Sequence, residues 1–169
     1  MEPQKAYQEE KRLQVLHQYH ILDTLPEPCF DTIVLQASRH CRVPIALFTL
    51  IDESRQWFKA NVGLDIEETD RAVSFCAHAV ASDAPLVVED TLKDYRFAAN
   101  PLVVGHPKIR FYAGVPVRAA SNEPLGTLCV IDHFPRSFPW KDFLLLQELA
   151  KQIEAQLEIR RGKDAHRQS

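Results

Sequence analysis

The chain has 169 residues, a net charge of -3, 46% hydrophobic and 25% charged residues, the balance of one globular domain with one proper core. Acids and bases are mixed along it, which excludes the clustered basic face that a nucleic-acid backbone requires. No apolar run approaches the ~20 residues that span a bilayer, so no membrane partner is expected.

Met1 to Lys11 is charged and polar, without the apolar stretch of a secretory signal, so the expected location is the cytoplasm. Residues 11–20 carry Leu13, Leu16 and Tyr19 among charges, an amphipathic helix that Leu25-Pro26-Glu27-Pro28 interrupts. Phe30, Ile33, Val34, Ala37 and Cys41 at helical spacing give a second helix, which Pro44 ends by forcing Val43 out of the α region. Pro44 to Asp52 reads as a central strand. Ile45, Leu47 and Ile51 face one way and Phe48 and Leu50 the other, so both faces are covered. A polar break leads to the returning strand Arg55–Ala60.

Residues 61–73 are acidic and irregular. Ser74 caps a short helix through residue 82, because its hydroxyl accepts the free amides of a first helical turn. Leu86 to Glu89 is a brief strand, and Asp90 to Lys108 is rich in loops. Arg110–Val117 and Leu125–Asp132 form a hairpin turned by Ser121-Asn122-Glu123-Pro124. A long helix starts near Pro139 with the stripe Leu146, Leu149, Ala150, Ile153 and Leu157. Arg160 and Arg161 suit its C-terminal end, Gly162 offers a stop, and residues 161–169 are expected to be a frayed tail. The order implies an antiparallel sheet with helices on its faces, an α+β architecture.

Seven strings in order carry a resemblance. They are Tyr19-His20-Ile21-Leu22-Asp23-Thr24-Leu25-Pro26, Val43-Pro44-Ile45-Ala46, Arg55-Gln56-Trp57-Phe58-Lys59-Ala60 and Ser74-Phe75-Cys76-Ala77-His78-Ala79. Asp94-Tyr95-Arg96-Phe97, Ile109-Arg110-Phe111-Tyr112-Ala113-Gly114 and Gly126-Thr127-Leu128-Cys129-Val130-Ile131-Asp132 complete the set. Over residues 12–160 the chain resembles GAF domains found at the front of bacterial histidine kinases and diguanylate cyclases, and residues 1–169 read as a single such domain. The resemblance implies a six-stranded antiparallel sheet flanked by helices on both faces. It implies a sensory role in signal transduction, including two-component systems, with terminal helices that pair in a homodimer. The output module, a kinase or cyclase, is expected outside this chain. The resemblance names no single ligand or cofactor, since members bind cyclic nucleotides, bilins, haem, amino-acid derivatives or nothing known.

In GAF-like folds the ligand cavity lies between the sheet and the segments covering one face, here residues 61–82 and 90–108. The expected small-molecule pocket has Phe58, Phe75, Phe97, Phe111 and Tyr112 as walls, with Cys76, His78, Asp90 and Asn100 as polar groups. The plainer reading makes the aromatics core and Asp90 and Asn100 loop braces. Cys76 falls in the first turn behind the Ser74 cap, where amides stabilise a thiolate. His78, two residues on, does not share its helical face. A Cys76–Cys129 relay requires the two to approach each other.

The remaining chemistry is sparse. The four cysteines, Cys29, Cys41, Cys76 and Cys129, form no CxxC pair and are expected to be reduced. Histidines and cysteines lack metal-ligand spacing, and no Gly-rich phosphate cradle exists among five glycines. Arg55 and Arg110 are expected to pair with acids such as Glu53 or Asp132. No catalytic constellation is assembled, so a regulatory domain is the first reading. The alternatives are a thiol enzyme of the free methionine sulfoxide reductase type and a ligand-free dimerisation scaffold. Bilin attachment in related domains uses Cys directly before His, whereas Ala77 separates Cys76 from His78.

Overall fold

The computed structural model describes residues 3–168. Helix α1 spans Pro3–Gln18 and helix α2 spans Pro28–Cys41. Pro28 opens α2, where its missing N–H costs nothing, and Arg42 ends it in the left-handed region at φ 56°. Pro44 then holds the chain extended into β1, Ile45–Ile51. Strand β2, Arg55–Val62, returns along it, and β3, Glu68–Asp70, adds an edge. After α3, Phe75–Ser82, come β4, Leu86–Val88, and the one-turn α4, Pro101–Val104. Strands β5, Phe111–Arg118, and β6, Pro124–Asp132, precede α5, Trp140–Gln168.

The six strands form one antiparallel sheet in the order β3-β2-β1-β6-β5-β4. Period-two alternation along the central strands divides the interior into two cores. Phe48, Leu50, Phe111, Val115, Leu128 and Val130 face α1, α2 and α5, where Leu16, Phe30, Val34, Leu146 and Ile153 meet them. Leu47, Phe58, Tyr112, Cys129 and Ile131 face the opposite way, under Phe75 and Val80 of α3 and Phe97 of the following loop. Gly126 lies where β1 passes close to β6, since a Cβ there would drive into the Thr49 carbonyl.

Four departures from the sequence reading have local causes. Helix α1 starts at Pro3, before residue 11, and it stops at Gln18 because His20 takes φ 50°. Strand β3 escaped because three polar residues at a sheet edge show no alternation; they pair with Arg55, Gln56 and Trp57. Gly162 does not stop α5, which continues through Gln168. Ion pairs from Arg161 to Glu158 and from Arg160 to Asp164 span this stretch and support the helix against the ~1 kcal/mol that an interior glycine costs. The expected frayed tail is therefore helical as far as it is described, and Ser169 lies outside the described residues. Finally, the Arg110 guanidinium donates to the carbonyls of Val103 and Ile109 and not to an acid, whereas Arg55 does pair with acids, namely Asp23, Asp52 and Glu68.

Candidate functional site

Ser74 sets the position of the site. Its Oγ accepts from the Ala77 amide at 3.0 Å and donates to Gln56 Oε1 at 2.7 Å, and Gln56 Nε2 donates to Thr69 Oγ1 at 3.0 Å. The cap therefore ties the first turn of α3 to strands β2 and β3. One residue into that turn, Cys76 points at the sheet.

Its sulfur meets polar company. Thr127 Oγ1 donates to Cys76 Sγ at 3.0 Å, Tyr112 Oη donates at 3.1 Å, and Cys129 Sγ lies 3.8 Å away. Thr49 Oγ1 continues the chain of hydroxyls, 3.1 Å from Thr127 Oγ1. Strand register explains the convergence, because Thr49 pairs with Thr127, Cys129 pairs with Gly114, and Tyr112 pairs with Ile131. Gly114 leaves room for the Tyr112 ring; a Cβ at that position would collide with its hydroxyl.

The three ionisable groups diverge as a result. Burial opposes ionisation of Cys76, but hydrogen bonds from Cys129, Thr127, Thr49 and Tyr112 outweigh it and lower its pKa to about 7. Burial and the neighbouring Cys76 push Cys129 well above an ordinary thiol, and burial with the nearby sulfurs does the same to the Tyr112 phenol. The cluster thus carries one activated sulfur beside one held as a thiol, with hydroxyl donors on the activated one.

A cavity of about 20 Å³ adjoins it, lined by Leu47, Phe58, Phe75, Cys76, Tyr112 and Ile131. Leu64, Ile66 and Thr69 from one expected lid segment and Leu102 and Pro107 from the other also line it, with Ile109 just past the second segment. The space suits about one water-sized molecule.

Phe58, Phe75, Cys76 and Tyr112 are thus brought together at the cavity. Phe97 is fully buried behind them, stacked on Phe75 at 4.2 Å. Phe111 requires correction. It sits one residue from Tyr112 on the same strand, so alternation turns it into the other core. His78 is corrected too, because it faces solvent with an edge on the Phe97 ring at 4.9 Å. Partial burial and nearby Arg96 lower its pKa. Asp90 and Asn100 accept from the amides of Leu92 and Leu102 and so cap short helical turns. Asn100 also donates to the Val73 carbonyl at 3.0 Å, bracing the loop against the segment before α3.

Thr49, Thr127 and Gly114 were missed. Their signal was present as strand alternation, which puts residues 47, 49, 127 and 129 on one face, but the contact to Cys76 spans 51 residues of chain. Among the described residues, no group of three or more His, Cys, Asp or Glu side chains is placed to hold a metal ion. No helix among them is long and apolar enough to cross a membrane.

A family profile described as GAF domain matches residues 26–157. The chain belongs to the GAF domain family. This GAF domain is 39% identical over 155 residues to the cyclic di-GMP phosphodiesterase PA2567 of Pseudomonas aeruginosa, a match covering 91% of the chain. It spans only 26% of that relative's length. Its fold is similar to the GAF domain of an Acinetobacter phosphoenolpyruvate-protein phosphotransferase, with TM-score 0.64, 17% identity and coverage of 98% and 99% of the two chains. It is also similar to free methionine-R-sulfoxide reductase from Neisseria meningitidis, solved with its substrate, with TM-score 0.64, 20% identity and coverage of 96% and 95%.

Proposed function

We propose that this GAF domain is a regulatory input module of a bacterial signalling protein, with its sensory centre on the α3 face of the sheet and its output through α5. The observation that carries the reading is the match to PA2567, in which nearly the whole chain aligns with a quarter of a cyclic di-GMP phosphodiesterase. The cavity beside Cys76 supports a small signal, since about 20 Å³ does not accommodate a nucleotide or an amino acid in this conformation.

Helix α5 is suited to pass a change onward. It packs along the first core, and near its far end Arg160 donates to the Tyr19 and His20 carbonyls and pairs with Glu27. Replacing the aligned quarter of PA2567 with this chain tests the reading. Cyclic di-GMP hydrolysis by the chimera should change severalfold when Tyr112→Phe is introduced in the graft. Hydrolysis indifferent to substitutions around Cys76 contradicts it.

The enzyme reading has one specific observation in its favour, the 3.8 Å approach of Cys76 and Cys129. Thiol-dependent reduction of free methionine sulfoxide, abolished by Cys76→Ser, would establish it in place of the regulatory one.

A further inference from the structure

The sulfur pair is arranged in a way that packing alone does not require. A small buried thiol fills space equally well with no donors aimed at it, yet two hydroxyls converge on Cys76 Sγ and a second sulfur touches it. Both hydroxyls come from strands on the floor of the site, and Gly114 clears the space that lets one of them reach. Cys76 is 2% exposed and lines the adjoining cavity, whereas Cys129 is fully buried and does not line it, so a very small reagent arriving through the cavity meets Cys76 first. Cys29 and Cys41, on α2, belong with the opposite side of the sheet and do not share this environment.

We propose that Cys76 and Cys129 form a reversible dithiol–disulfide site that reacts with small hydroperoxides, with Cys76 as the attacking sulfur and Cys129 as the resolving one. The proposal deepens the regulatory reading by naming what the site senses; its chemistry can be measured on the chain alone, whatever the output proves to be.

The steps balance. The Cys76 thiolate attacks one oxygen of hydrogen peroxide; an S–O bond forms, the O–O bond breaks, and the departing hydroxide takes up the proton that Cys76 had released. The Cys129 sulfur then attacks the sulfenic sulfur. The S–S bond forms, the S–O bond breaks, and the second hydroxide leaves with the Cys129 proton as water. Two thiols and one peroxide give one disulfide and two waters, with two electrons passing from sulfur to oxygen.

Thiolate formation near neutral pH supports Cys76 as the attacking sulfur. Burial and the Cys76 charge hold Cys129 as a thiol, and the second of these causes is removed once Cys76 has become a neutral sulfenic acid. Closure requires the sulfurs to move from 3.8 Å to the ~2.05 Å of a disulfide. It also removes the thiolate that accepts from Tyr112 and Thr127. Thr127 keeps its Thr49 partner, whereas the buried Tyr112 hydroxyl must find another acceptor or move. Oxidation therefore disturbs the joint between α3 and strands β5 and β6, which gives a redox event a structural consequence.

The test is mass spectrometry of the reduced, purified chain after stoichiometric hydrogen peroxide, with thiols alkylated on denaturation. The expected product is lighter by about 2 Da before alkylation, takes up two alkyl groups where the reduced chain with its four cysteines takes up four, gives a peptide linking Cys76 to Cys129, and reverts with a phosphine reductant. The rate should rise about tenfold between roughly pH 6 and pH 8, following the thiolate fraction. Cys129→Ser should accumulate a Cys76 sulfenic acid that a dimedone probe captures, which keeps the test usable if Cys76→Ser fails to fold. Four free thiols, a link through Cys29 or Cys41, or sulfinic acid without any link overturns the proposal. A correct link in a chain whose graft leaves phosphodiesterase output unchanged would overturn the regulatory reading and leave the chemistry intact.

Discussion

At the scale of single residues, the α3 face depends on small choices at fixed registers. Gly114→Ala places a methyl where the Tyr112 hydroxyl lies, so the ring must swing away from Cys76. The expected cost is about 1–3 kcal/mol of stability, read from the urea midpoint, because an overpacked core shifts backbone and rotamers. Tyr112→Phe removes one donor and leaves Thr127 and Cys129 on the sulfur, so it should cost only about 1 kcal/mol. A larger loss for Tyr112→Phe than for Gly114→Ala would show that the hydroxyl has a partner other than Cys76. These contacts were only half legible beforehand. Ser74 as cap and Cys76 in the first turn follow from local chemistry, whereas Tyr112 and Phe111 are neighbours whose faces are decided by the register of β5 against β6. An aromatic pair in sequence shows that one side chain goes each way without showing which.

At the scale of elements, two ionic clamps hold the terminal helices. Glu9 of α1 accepts from Arg12 at 2.9 Å and from Arg71 at 2.6 Å, and Arg12, nearly fully buried, also donates to the Ile51 carbonyl. Burial opposes ionisation of Glu9, but the two guanidinium groups outweigh it and lower its pKa from 4.5 to about 2. The folded form binds this proton less readily than the unfolded form. The contribution is thus fully present above pH 4.5 and lost as pH falls toward 2. Resistance to urea should fall as pH drops across that window, and Glu9→Gln should remove that part of the slope while leaving neutral-pH folding cooperative.

The second clamp is Glu27, which accepts from buried Lys59 at 2.6 Å and from Arg160 of α5 at 2.9 Å. Lys59 also donates to Thr24 Oγ1 and the Leu25 carbonyl, which keeps it partly satisfied when the acid is removed. Glu27→Ala should therefore destabilise by about 2 kcal/mol, below the 3–5 kcal/mol of a fully buried pair, since Glu27 is itself a third exposed. A change under about 0.5 kcal/mol would mean that Lys59 is held by its neutral partners alone. The sequence marked Pro26 and Pro28 as a break between helices. It did not show that the acid between them joins β2 to α5, because Lys59 lies 32 residues away and Arg160 lies 133 residues away.

At the scale of the whole molecule, the sheet separates a packing face from a chemical one. The packing face was readable because α2 and the stripe of α5 carry their apolar residues at helical spacing. The chemical face was not, because its key pairs come from α3, β1, β5 and β6 and are joined only by the fold. Helix α5 leaves Trp140, Leu144 and Ile159 exposed. A parallel homodimer through the terminal helices predicts twice the chain mass by light scattering at high micromolar concentration. A monomer there assigns the surface to some other neighbour.

The regulatory and redox proposals both require Cys76 to be the reactive centre of this face. The most direct test of that role is the far-ultraviolet thiolate absorbance of the reduced protein followed through pH, with Cys76→Ser as the blank. One thiolate should appear with a midpoint near 7, vanish from the Cys76→Ser titration, and move toward the ~8.5 of an ordinary thiol in Thr127→Val. A first thiolate that forms only above about pH 9, or one that survives Cys76→Ser, would contradict it.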